Sequence, residues 1–319
     1  MKKIITFSAP AKVILAGEHS VVYGKPALVT ALDKMLNFSL SENQFFNQKD
    51  DRNIRKIVEL IEKNVINYLK ENKILHQKKK YFFKINSEIP IGFGLGSSAA
   101  LSVAATACFL KFFTGKNFPK DIVNNLAYKS EAFFHQNPSG VDNTASCFGG
   151  LIYYRKEFEF LKNISFLNFK IPKEFSLFLI DSGKPEENTK TMVKIVTKKY
   201  KKNISFIENV LFDMEKTTKK MVLAIKNGNK NLFKEAIVDN EIFLEMLGVV
   251  SSKTKKLLQK LYSFGVGKIT GAGGKKEGSG FILFFVEKEK ELLSFLKKEK
   301  INFFKFAFDD KGLYEKSKN

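Results

Sequence analysis

The stretch IPIGFGLGSSAA, residues 89–100, sets three glycines at alternate positions, Gly92, Gly94 and Gly96, directly before Ser97, Ser98 and a run of small residues. Glycine admits φ > 0 and lets a ligand approach the main chain. A helix start offers unpaired N–H groups and the positive end of the dipole. Together they form an anion site suited to phosphate. The segment before it, KKYFFKINSEI, reads as a strand that stops at Pro90. The segment after it, SSAALSVAATACFLKFF, holds no helix breaker and is apolar on most sides, so it reads as a buried helix. Strand, glycine turn and helix give the context a phosphate loop needs. The lysine of a Walker loop and the third glycine of a Rossmann loop are both missing, and a plain tight turn under a helix stays open from this loop alone.

Working outward, 319 residues suffice for one large or two ordinary domains. A hydrophobic content of 44% with 27% charged residues describes a globular chain. No uncharged apolar run reaches the roughly 18 residues of a membrane span, and no membrane partner is expected. The start, MKKIITFSAPAKV, meets Pro10 and Lys12 after a few apolar residues and reads as a first strand rather than a secretory leader. Cys108 and Cys147 stand far apart in apolar surroundings, which predicts free buried thiols and a reducing, cytoplasmic setting. Three histidines give no zinc-type cluster. The net charge of +21 invites nucleic acid, but the lysines are spread along the whole chain and arginine is scarce, so no nucleic-acid partner is expected.

In the first half, strand-like and helix-like stretches alternate. KIITFSAPAKVILAGE reads as two strands, and NIRKIVELIEKNVINYLKEN as an amphipathic helix with Ile57, Leu60, Ile61, Val65 and Leu69 on one face. FPKDIVNNLAYKSEAFFH reads as a helix, GGLIYYRK and FSLFLIDSG as strands. Beyond residue 185 helices dominate, closed by the strand GSGFILFFVE, the helix KEKELLSFLKKEK and the strand INFFKFAFDD. A domain boundary is expected near residue 180, giving units of 1–180 and 181–319.

Three stretches in order, SAPAKVILAGEHSVVYGKPAL (8–28), IPIGFGLGSSAA (89–100) and KITGAGG (268–274), resemble the three motifs of the GHMP small-molecule kinases. HQNPSGVDNTASCFGG (135–150) is similar to the version found in the branch that acts on mevalonate. The resemblance covers essentially the whole chain. It implies a two-domain α+β chain, an α/β GHMP kinase fold with an N-terminal half like ribosomal protein S5 and a ferredoxin-like C-terminal half. The active site would lie between them. It implies transfer of the γ-phosphoryl of ATP, with Mg2+, to the 5-hydroxyl of mevalonate. Phosphomevalonate or a sugar as acceptor stays open, as does a basic nucleic-acid binder of S5-like fold. A homodimer is left open too.

The resemblance also assigns residues. Gly92, Gly94, Leu95, Gly96, Ser97, Ser98 and Ala99 would cradle ATP. Ser98 and Glu131 would hold the metal, which takes oxygen ligands and few of them from protein; a helix-capping serine and a Glu131–His135 helix pair are the plainer readings. Asp142 would accept the hydroxyl proton, with Lys12 beside it; a turn aspartate and a surface lysine are the alternatives. Glu18, His19, Ser139, Thr189, Gly271, Ala272 and Gly273 would face the substrates, Thr189 being equally readable as a helix cap. Two departures stand out. Lys275, Lys276 and Glu277 lengthen the third motif by about three residues, as a lid over ATP or as a surface bulge. Glu187 stands where a basic residue is common.

Overall fold

The computed structural model describes residues 4–44, 51–134, 139–158 and 160–316. His135, the partner of Glu131 in the plainer reading, lies outside them, as do the three residues that follow it.

β1 (Ile4–Ala16) and β2 (Ala27–Ser41) form a long antiparallel pair at the centre of the first sheet. The two strands expected over 3–18 are one strand. Register shifts at Pro10/Lys12 and Ile14/Ala16 bend it, as a proline without an N–H would require. β3 (Phe82–Ser87), β4 (Leu151–Lys156) and β5 (Lys162–Phe166) join antiparallel, and the short β10 (Tyr314–Glu315) covers the outer edge of β1. Beyond the β10 pairing at Phe7 and Ser8, Lys12 is buried with its N–H on the Leu95 carbonyl, not on an exposed edge.

Helices α1 (Arg52–Glu71), α2 (Ser97–Thr114), α3 (Lys120–Phe134) and α4 (Val141–Phe148) pack over this sheet. α1 is capped by the Asp51 carboxylate, which accepts from the Asn53 and Ile54 N–H groups. It buries Val58, Ile61, Val65 and Leu69. α2 is long and apolar enough to cross a membrane, but it is enclosed by β1, β2, α1, α3 and α4 and serves as a core helix. Cys108 on α2 and Cys147 on α4 are free and buried, as expected.

The second sheet holds β7 (Gly265–Ile269), β8 (Phe281–Val286), β6 (Leu177–Asp181) and β9 (Phe303–Lys305) in that order, all antiparallel. The helices α5 (Thr189–Lys202), α6 (Ile204–Lys226), α7 (Lys230–Leu247), α8 (Ser252–Leu261) and α9 (Glu289–Lys298) complete this half. Ser251 caps α8 by accepting from the Thr254 N–H. Residue 180 falls inside β6, whose partners all belong to the second sheet, while β10 returns to the first.

The halves meet along β1 and β7. Thr270 Oγ1 donates to the Ile14 carbonyl at 3.1 Å and accepts from the Ile14 N–H at 3.2 Å. This clasp sets the third glycine motif against the second: a Cβ at Gly94 would stand 3.1 Å from the Thr270 carbonyl oxygen.

Candidate active site

A cleft of about 360 Å³ opens between the halves. Its lining includes Lys12, His19, Gly92, Gly94, Gly96, Ser97, Ser98, Ser139, Asp142, Thr189, Gly271, Ala272 and Gly273. These residues come from both ends of the chain, and the fold brings them to one place.

The glycine loop ends at Gly96, which precedes α2 with φ 76°. A Cβ there would sit 2.8 Å from Lys12 Cγ. The missing side chain thus admits the Lys12 stem beneath the loop, and the Lys12 N–H donates to the Leu95 carbonyl at 3.1 Å. Ser97 and Ser98 open α2 half-buried, with its first N–H groups free of intrahelical partners. Leu95 and Ala99 are buried and do not line the cleft.

Asp142 is not in a turn; it sits in the first turn of α4. The Asn143 side chain fixes this helix by donating to Asn124 on α3 at 2.6 Å, and Thr144 Oγ1 closes back on the Gly140 carbonyl at 2.7 Å. Asp142 keeps 34% of its side chain exposed toward the cleft, while its partner Lys12, 3.0 Å away, keeps 2%. Glu131 lies behind them on α3, almost fully buried. Burial first, and then the Asp142 charge, push its carboxyl up to about 8 against the pull of Lys12 and Lys162. Asp142 and Glu131 thus share the field of the Lys12 ammonium, and of the two carboxyl groups only Asp142 lines the cleft.

His19 has φ 60°, a strained value for a non-glycine residue, and its buried ring places Nε2 3.0 Å from the Ala272 carbonyl. Burial lowers its pKa. The ring ties the first motif to the third. Ser139 stands at the approach to α4, its carbonyl accepting from the Tyr154 hydroxyl. Thr189 is exposed at the first turn of α5 and lines the cleft, because Asn188 takes the cap and accepts from the Thr191 N–H at 2.9 Å. That leaves the Thr189 hydroxyl for a ligand.

Glu18 lines the cleft, as expected, but its carboxylate is already engaged. Both its oxygens are taken, Oε1 by Lys268 Nζ and Oε2 by Asn240 Nδ2 at 3.0 Å. Lys268 and Glu18 have no exposed side-chain surface. Lys268 also donates to the Ile269 carbonyl at 2.8 Å and to the Ile14 carbonyl at 3.3 Å. The pair is a buried joint between the halves. A signal for it existed, the lone lysine that opens the third motif between Gly267 and Ile269.

The insertion in the long third loop leans on the β6–α5 connection through Lys275 and Lys276. Lys276 Nζ lies 3.2 Å from Glu186 Oε2, and the Lys275 N–H donates to Glu187 Oε2 at 3.2 Å. Glu187 thus has a structural partner in the very insertion that sets this chain apart.

Residues 53–150 match the model of the GHMP kinases N-terminal domain. The mevalonate kinase of Pyrococcus furiosus is 32% identical over 301 residues, covering 84% of this chain and 86% of that protein. In fold, the chain resembles the Methanococcus jannaschii mevalonate kinase with a TM-score of 0.77 at 24% identity, over 97% of this chain and 98% of that one. It also resembles the L. major mevalonate kinase solved with R-mevalonate, with a TM-score of 0.77 at 21% identity, covering 95% of each chain.

Proposed function

This chain belongs to the GHMP kinase family, and on that premise we propose how its cleft phosphorylates mevalonate. The enzyme transfers the γ-phosphoryl group of ATP to the 5-hydroxyl of mevalonate, giving 5-phosphomevalonate and ADP. The observation that carries its chemistry is the Lys12–Asp142 pair beside the phosphate loop. Phosphoryl transfer is mostly positioning and charge stabilisation. The α2 N-terminus and the loop N–H groups hold the phosphates. The exposed oxygen side of Asp142 accepts the proton of the attacking hydroxyl. Lys12 faces the oxygen that gains negative charge as that proton leaves. Thr189 and Ser139 orient the acceptor from opposite walls of the cleft.

We propose that Ser98 and Glu131 hold a magnesium ion. The Ser98 hydroxyl and the Glu131 carboxyl are hard oxygen donors, and Glu131 is a buried acid next to a second carboxylate, an arrangement that a cation stabilises. Bound there, the ion would neutralise charge on the phosphates. A homodimer is supported by the outer strand β5, beside which Phe160 and Phe166 are exposed. A cytoplasmic setting is supported by the two free buried thiols.

The test is a coupled ADP-release assay across mevalonate, phosphomevalonate and galactose. Turnover with mevalonate at a kcat/KM at least tenfold above the other two is expected. A preference for either of the others would overturn the acceptor while leaving the fold in place.

A further inference from the structure

The nucleotide brings about four negative charges, yet the cleft's own cation, Lys12, already faces Asp142. A second cation would offset that charge, and the Lys276 ammonium of the long third loop is already taken by Glu186.

The connection from β6 to α5 runs Ser182-Gly183-Lys184-Pro185-Glu186-Glu187. Its base is rigid. Ser182 Oγ donates to the Gly280 carbonyl at 2.8 Å and accepts from the Ser279 N–H at 3.0 Å, all buried. The Gly183 N–H donates to Asp181 Oδ1 at 2.7 Å, and the Gly280 N–H to the Gly183 carbonyl at 3.0 Å. From this base the Lys184 side chain reaches the glycine loop beside Gly92. A Cβ placed on Gly92 would be 3.0 Å from Lys184 Cε and 3.6 Å from its Nζ. The acids that follow Lys184 are engaged elsewhere, Glu186 by the Lys276 ammonium and Glu187 by the Lys275 N–H. Among the described residues Lys184 makes no ion pair. An ammonium lying on the first glycine of a phosphate cradle, launched from a fixed base and free of a carboxylate, is set up to meet an anion there.

We propose that Lys184 is a nucleotide-binding residue that clamps the phosphate chain of ATP from the C-terminal half, closing the loop formed by Gly92 to Ser98. The inference rests on the reading of that loop as the triphosphate site. The insertion then acts in support, since Lys275 and Lys276 occupy Glu187 and Glu186 and so leave Lys184 available.

The experiment measures equilibrium binding of ATP, ADP and adenosine to the full chain, with steady-state kinetics, for wild type, Lys184→Met and Lys184→Arg. Lys184→Met is expected to weaken ATP about tenfold at low ionic strength, ADP less, and adenosine not at all. The ATP defect should shrink with added salt. KM for mevalonate should stay within about twofold, and Lys184→Arg should keep most of the ATP affinity. Unchanged ATP binding in Lys184→Met, or equal weakening of ATP and adenosine, overturns the proposal. Ser97→Asp, which sets a carboxylate at the α2 start, separates the two readings. If it abolishes ATP binding while Lys184→Met does nothing, the loop stands and the clamp falls. If neither variant affects ATP, the loop itself is misassigned.

Discussion

Lys12 Nζ lies 3.0 Å from Asp142 Oδ1, joining β1 of the first sheet to the first turn of α4. The two differ in exposure, since the lysine is enclosed while the aspartate shows a third of its side chain to the cleft. The proposed proton acceptor is thus the accessible partner, and the lysine is its enclosed support. Asp142→Asn keeps the shape and removes the acceptor. It is expected to lower kcat by roughly 10²–10⁴-fold with ATP affinity near wild type. Pre-steady-state ADP formation checks this, and a variant turning over at the wild-type rate would remove Asp142 from the chemistry.

Gly96→Ala probes the same pair from beneath. The new methyl would meet Lys12 Cγ at 2.8 Å on a residue whose φ is 76°. Backbone strain of this kind costs about 1–3 kcal/mol, and the Lys12 stem must shift to make room. Both stability and kcat should drop, read by denaturant unfolding and by turnover at saturating ATP. A stable variant with full kcat would show that the Lys12 position is not set by the loop.

The three glycine motifs, Asp142 and Lys12 are legible in the sequence because each sits in a short stretch whose chemistry is local. The buried helix α2 is legible for the same reason, from an unbroken apolar run. The α4 helix is not. Val141–Phe148 is only eight residues long and follows Ser139-Gly140, which reads as a turn. The single bent β1 reads as two strands because Pro10 looks like a stop, whereas it falls at a register shift. Glu18 reads as facing a substrate because its partner, Lys268, is 250 residues away and no local pattern joins them. Pairings of that separation come from the topology that brings β7 alongside β1.

That joint gives a third expectation. Lys268 and Glu18 are both fully enclosed, so removing one leaves an unpaired charge in the interior. Lys268→Met is expected to destabilise the protein by about 3–5 kcal/mol, and the double variant Lys268→Met/Glu18→Gln to recover part of that loss. Urea unfolding of the four proteins of the cycle gives the coupling. Additive losses would mean that the pair is not a unit.

Glu241, at the same joint, predicts a dependence on pH. Its Oε2 accepts from the Ile269 N–H at 2.8 Å. Burial pushes its carboxyl up to about 8; the Ile269 N–H and Lys268 pull down, while Glu245 and Glu18 push further up. The unfolded chain releases this proton near the ordinary glutamate value of about 4.3. Between that pH and about 8 the folded protein holds a proton that the unfolded one has lost, so stability falls as pH rises through this window and levels off above it. Glu131 contributes with the same sign in any variant that retains it. Glu241→Gln keeps an acceptor for the Ile269 N–H and removes the titration. The two proteins should therefore melt at similar temperatures near pH 5, and the glutamine variant should gain on wild type steadily up to about pH 8.5. Thermal unfolding across that range decides the matter, since parallel curves would mean that Glu241 is ionised throughout and that its charge is balanced within the joint by Lys268.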